Sequence, residues 1–127
     1  MPRQVVNSPK VSRPAVYSQA IRAGNMLFIA GQTAVDAKGN PVGIGDPAAQ
    51  AKQVFDNITA LLEAAGATWD NVVKINSYVT DMRYSDAIRE VRQRYLKEPF
   101  PASTSVQVVA LARPQYLLEV EAVAVLG

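Results

Sequence analysis

The chain predicts one mixed α/β domain spanning residues 1–127, a single sheet with two helices on one face, in the order β-β-α-β-α-β-β. Three observations carry that expectation. The 127 residues are 49% hydrophobic and 19% charged, which suits one globular core. Apolar residues recur at helical spacing in two segments. Runs rich in β-branched residues flank both of those segments.

The elements follow in order. A short N-terminal strand is expected at Val5-Val6. Val16 to Arg22 and Met26 to Ala30 predict two strands around the turn residues Ala23-Gly24-Asn25. Gly31 to Gly45 contains four glycines with Asp36 and Pro41, and predicts a loop. Asp46-Pro47 opens a helix, with Asp as N-cap and Pro at the first helical position. Ala51, Val54, Phe55, Ile58, Leu61, Leu62 and Ala65 form its apolar stripe, and Gly66 is its stop. Val72 to Val79 predicts a strand. A second helix is expected from Tyr84 to Lys97, with Ala87, Ile88, Val91 and Tyr95 inward, and Pro99 and Pro101 beyond it. Its outer face carries Arg89, Arg92, Gln93 and Lys97, read as a solvated basic face. Ser103 to Val109 and Leu117 to Leu126 predict the last two strands, separated by Arg113-Pro114-Gln115.

The last strand has a consequence for assembly. One of its faces carries Leu118, Val120, Ala122, Ala124 and Leu126; the other carries Leu117, Glu119, Glu121, Val123 and Val125. Both faces are largely apolar, yet two helices cover only one. A second copy of the chain is the expected cover for the other, unless the sheet curls onto itself.

Composition excludes several chemistries. With no Cys there is neither a disulfide framework nor a thiolate nucleophile, and with no His there is no imidazole base and no His-ligated zinc. A net charge of +2 without a clustered patch calls for neither nucleic acid nor a membrane as partner. The N-terminal residues show no signal-peptide pattern, and no apolar stretch approaches the roughly 20 residues that span a bilayer. A cytoplasmic location is the expectation, and chemistry must rest on carboxylates, Tyr, Ser/Thr, Arg/Lys or backbone groups.

Glu119 and Glu121 are the leading candidates. Period two places both carboxylates on one face of an otherwise apolar strand, where desolvation raises a carboxyl towards general acid–base range. Charges guarding a solvated edge are the other reading. Ser103, Ser105 and Gln107 form a polar stripe on the neighbouring strand, which lines either a pocket or solvent. Tyr17 carries the one phenol near the N-terminal strands, where packing is the ordinary role.

Taken together, several segments resemble the YjgF/RidA superfamily of reactive enamine/imine deaminases. They are Pro14-Ala15-Val16-Tyr17-Ser18-Gln19-Ala20, Phe28-Ile29-Ala30-Gly31-Gln32, Asp56-Asn57-Ile58 through Gly66, Val73-Lys74 through Met82, Phe100-Pro101-Ala102, and Glu119-Val120-Glu121-Ala122-Val123-Ala124. The resemblance implies a chorismate-mutase-like α/β (α+β) fold and a homotrimer whose sheets form a central β-barrel with clefts between subunits. It implies hydrolysis of small reactive imines and enamines to a keto acid and ammonia, with no organic cofactor and no metal. By the same resemblance Tyr17 contributes its hydroxyl, Ala30 and Gly31 lie along the substrate, and Glu119 holds or activates the attacking water.

The chain also departs from that pattern. Ser103 stands where the archetypal deaminases carry an Arg that grips the substrate carboxylate, Ser105 where many carry Cys, and Ala30 where the S-G-Q motif has Ser. Serine cannot make the charge-assisted fork of a guanidinium. Arg89, where the family often has Asn, is a candidate replacement cation. The expectation is an imine deaminase with weak or altered activity on 2-iminopropionate. The alternatives are a non-catalytic ligand-binding trimer and, last, an RNA-acting protein.

Overall fold

A computed structural model describes residues 2–127. Six strands form one sheet in the order β1-β2-β3-β6-β4-β5. They are β1 (Arg3–Val6), β2 (Ala20–Ala23), β3 (Met26–Gln32), β4 (Val72–Val79), β5 (Ala102–Gln107) and β6 (Leu118–Val125). Only β4 and β5 pair in parallel; the other neighbours are antiparallel. The last strand thus enters the middle of the sheet, between β3 and β4.

Helices α1 (Pro47–Ala64) and α2 (Ser85–Arg92) cover the same face. Asp46 caps α1 by accepting a hydrogen bond from the Ala49 N–H at 3.1 Å, with Pro47 in its first turn. Gly66 ends it with φ of +74°, a conformation that a side chain would strain. Val54, Phe55, Ile58, Leu61 and Leu62 of α1 pack with Leu27, Ile75, Leu118, Val120 and Ala124 of the sheet in one buried core. The opposite face has no covering layer. Phe28 is 45% exposed there and its cross-strand partner Val123 is partly exposed.

Two elements differ from expectation. The second strand begins at Ala20 rather than Val16, because the buried Gln19 side chain organises the preceding residues as a loop. It accepts from the Ser8 N–H at 2.7 Å and donates to the carbonyls of Ser8, Val11 and Ser12. The second helix is shorter than predicted at both ends. A short 3₁₀ turn (Met82–Tyr84) precedes it, and after Arg92 the chain tightens into i→i−3 turns, Arg94 N–H to Val91 O and Tyr95 N–H to Arg92 O. The tightening coincides with the Tyr95 ring stacking on Phe55 at 5.3 Å while its hydroxyl donates to Asp56 at 2.7 Å. Tertiary packing overrides the helical pattern at this end.

Candidate functional site

The polar groups of the uncovered face are positioned by strand registry. Glu119 and Glu121 alternate with Val120 on β6 and stand opposite Tyr78 and Asn76 of β4. The Asn76 amide donates to Glu121 Oε2 at 3.1 Å. Burial first, and then the Glu121 charge, raises the Glu119 carboxyl above its ordinary value. The Glu121 charge likewise raises the Tyr78 phenol. Two carboxylates of one sheet face thus divide their roles. Glu121 is hydrogen-bonded, whereas among the described residues Glu119 has no side-chain hydrogen bond and its carboxyl is raised.

A β-bulge sets the other wall. Ile29 pairs with Ala122 and Gln32 with Val120, so Ala30 and Gly31 together face the single residue Glu121. At Gly31 the backbone passes so close to Glu119 that an added Cβ would lie 2.3 Å from Glu119 Oε2. Glycine leaves the Glu119 carboxylate room to lie in this position. Ala30 faces a different hollow of about 560 Å³ on the open face, shared with Phe28, Lys74, Asn76 and Glu121.

Tyr17 sits on the loop that Gln19 holds and is 61% exposed. It lines a pocket of about 110 Å³ with Gly31, Gln32 and Asn57. Asn57, on α1, fixes the far wall by donating to the Val35 carbonyl at 3.0 Å.

The remaining sequence-predicted residues lie elsewhere. Ser103 and Ser105 pair with Ile75 and Ser77 and so point to the helix-covered side of the sheet. With Arg89 they line a pocket of about 490 Å³ beneath α2, walled also by Val79, Ile88, Arg92, Leu96 and Phe100. Arg89 is exposed and pairs with Asp86 at 3.6 Å. Tyr17, Gly31 and Glu119 therefore cluster around β3 and β6, and Ser103, Ser105 and Arg89 around β5. Three strand spacings separate β3 from β5, roughly 14 Å at the usual interval. Within one chain Glu119 and Ser103 stand on different strands, with β4 between them.

Sequence reasoning missed five contributors. Lys74, Asn76 and Tyr78 share the face of the two glutamates, and their period-two spacing in Val72–Val79 was the available signal. Gln19 positions the Tyr17 loop. Arg92, read as part of a solvated basic face, is half-buried and lines the α2 pocket. It follows the buried Ile88 by four residues, which puts the two on one side of the helix.

No helix among the described residues is long and apolar enough to cross a membrane. Known proteins resemble the chain along its whole length. A RutC family protein of Pyrococcus horikoshii is 44% identical over 93% of this chain and 91% of its own. The human 2-iminobutanoate/2-iminopropanoate deaminase is 33% identical over 98% of this chain and 91% of its own. The crystal structure of RidA from the Antarctic bacterium Psychrobacter sp. superimposes with a TM-score of 0.90 at 36% identity, covering 97% and 99% of the two chains. Escherichia coli TdcF, solved with bound serine, superimposes with a TM-score of 0.90 at 27% identity, over 98% and 99%. The sequence profile described as endoribonuclease L-PSP matches residues 8–126. The chain belongs to that family, the YjgF/RidA superfamily.

Proposed function

We propose that the protein is a cofactor-independent imine/enamine deaminase that works as a homotrimer, each site formed where the Glu119 cluster of one subunit meets the Ser103 cluster of the next. The observation that carries this reading is the desolvated Glu119 carboxylate, laid against the Gly31 backbone and out of reach of the β5 serines of its own chain. A second subunit at the uncovered face completes the site and removes the exposed apolar surface in one step. The family membership and the deaminase names of relatives support the same chemistry.

In this mechanism Glu119 takes a proton from water as the water oxygen bonds to the imine carbon. That carboxyl returns its proton to the nitrogen of the resulting carbinolamine, the hydroxyl proton passes to the Glu119 carboxylate as the carbonyl forms, and the C–N bond breaks to release ammonia. A carboxyl raised above its ordinary value is a stronger base than an ordinary carboxylate, which favours taking that proton. The Tyr17 hydroxyl and the Gly31 backbone orient the substrate. Ser103 supplies no charge to a substrate carboxylate, so 2-iminopropionate is a poor substrate.

The test is ammonia release from imines generated in situ from a panel of amino acids, with the oligomeric state read by light scattering. Turnover by a trimer, abolished in Glu119→Gln, is the expected result. Stable binding of a keto acid without turnover would support a ligand-binding trimer instead, the reading favoured by Ser103. An RNA-acting role has less support, because the chain has no His for acid–base work.

A further inference from the structure

The α2 pocket is lined by a cation, Arg92, that has no ion pair among the described residues. Arg92 is half-buried, and its pKa is lowered first by burial and then by the like charge of Arg89. Among the described residues the acids of α2 do not serve it: Asp86 pairs with Arg89, and Glu90 forms no ion pair with Arg92. No sealed side-chain nitrogen or oxygen among the described residues lacks a partner, so the guanidinium is open to solvent-accessible space, and Arg92 is one of the residues that line the pocket. That space, about 490 Å³, has the size of a small-molecule site. Its walls combine hydroxyls from Ser77, Ser103 and Ser105 with the apolar surfaces of Ile88, Leu96 and Phe100.

We propose that Arg92 is the anion-binding residue of this pocket, gripping a substrate carboxylate from the helix side, in the room that the small Ser103 side chain leaves open. A partly desolvated guanidinium without a counter-ion is a costly arrangement, and a bound carboxylate offsets that cost with two parallel charge-assisted hydrogen bonds. The cation stands on α2 rather than on β5, and Ile88, Leu96 and Phe100 line the way to it. The ligand class is therefore a 2-imino or 2-oxo acid with a bulky apolar side chain, not a three-carbon acid. This assignment rests on the deaminase reading for the identity of the reacting group, but not for the binding of the anion.

Titration calorimetry with 4-methyl-2-oxopentanoate, the keto acid product expected from a leucine-derived imine, tests it on the whole assembled protein. The wild type should bind this acid more tightly than pyruvate. Arg92→Gln should weaken the binding by roughly 10- to 100-fold, the loss expected when a hydrogen bond to a charged group is removed. Arg92→Lys should restore part of it, and the neutral amide of the same acid should bind wild type and Arg92→Gln equally. Unchanged affinity in a folded Arg92→Gln protein would overturn the assignment, as would a wild type that binds neither acid. Ammonia release from the leucine-derived imine separates the two readings. Turnover indifferent to Arg92 would sink the assignment and leave the deaminase standing. Arg92-dependent binding without turnover would do the reverse.

Discussion

The two faces of the sheet are built from the same strands and obey opposite rules. On the helix-covered face, Leu118, Val120 and Ala124 of β6 meet Leu27 and Ile75 of the neighbouring strands and the stripe of α1 with no charged group among them. On the open face the alternate residues of the same strands are Phe28, Lys74, Asn76, Tyr78, Glu119, Glu121 and Val123. The first face is finished within one chain. The second combines apolar surface with two glutamates, of which Glu119 is raised above its ordinary value, and the helices leave it uncovered. Groups that must be desolvated yet remain reachable by a substrate belong on the face that folding leaves open.

A matched pair of substitutions breaks this contrast most forcefully. Leu118→Ala on the covered face should cost about 2–5 kcal/mol in unfolding free energy, since Leu118 is fully buried and its neighbours cannot all close the cavity. Phe28→Asp on the open face should leave far-UV circular dichroism intact and, if the proposed trimer forms through this face, shift light scattering from trimer to monomer. A Phe28→Asp protein that stays trimeric would show that the open face is not where subunits meet.

Gly31→Ala probes the junction between bulge and carboxylate, with a smaller effect on the fold and a specific one on activity. The new methyl would collide with Glu119 Oε2, the end of a flexible side chain, and Gly31 is not in a left-handed conformation. Glu119 can therefore swing aside. The expected outcome is a stability loss below about 1 kcal/mol with turnover of imines falling at least roughly a hundredfold, the range of a misplaced general base. Retained turnover would mean that Glu119 acts from another position.

The same contrast explains what was legible in the sequence. Hydrophobic periodicity reports burial within one chain, so α1, β4 and the covered face of β6 read correctly from Asp46, Gly66 and the alternation of Leu118 to Ala124. The open face is legible only as an anomaly, apolar residues and glutamates sharing one side of a strand. Failures arose where a single side chain commands a loop or a turn. Gln19 holds the residues that were predicted to begin a strand, and Tyr95 coincides with the premature end of α2. Arg92 was misread because a charged residue was assigned to solvent by type, although its spacing from Ile88 placed it against the pocket. The β-bulge leaves no periodic mark at all, and only the registry of β3 against β6 reveals it.

The mildest test concerns the charge on Glu119 itself. Its carboxyl titrates above its ordinary value of 4.5 because burial and the neighbouring Glu121 both penalise the ionised form. For a carboxyl raised in the folded state, the favourable contribution is present below the unfolded-state pKa and is lost as pH rises through the folded-state pKa. Above its folded-state pKa the wild type therefore holds a charge that works against its own fold. Glu119→Gln keeps the shape and removes that charge, so its melting temperature should exceed that of the wild type at pH 7 to 8. The advantage should shrink on acidification and vanish below the ordinary carboxylate value, where both proteins are neutral at this position. Thermal unfolding from pH 4 to 8 at one fixed protein concentration reads the difference without confusing it with assembly. The same variant should lose imine turnover, giving a more stable and less active protein, as expected when a destabilising group is kept for chemistry. A Glu119→Gln protein less stable than wild type at neutral pH would mean that the ionised carboxylate is held by a favourable partner. In the trimer that partner would be a cation of the adjoining subunit, and the open face would then be an ion-paired surface rather than a reserve of desolvated charge.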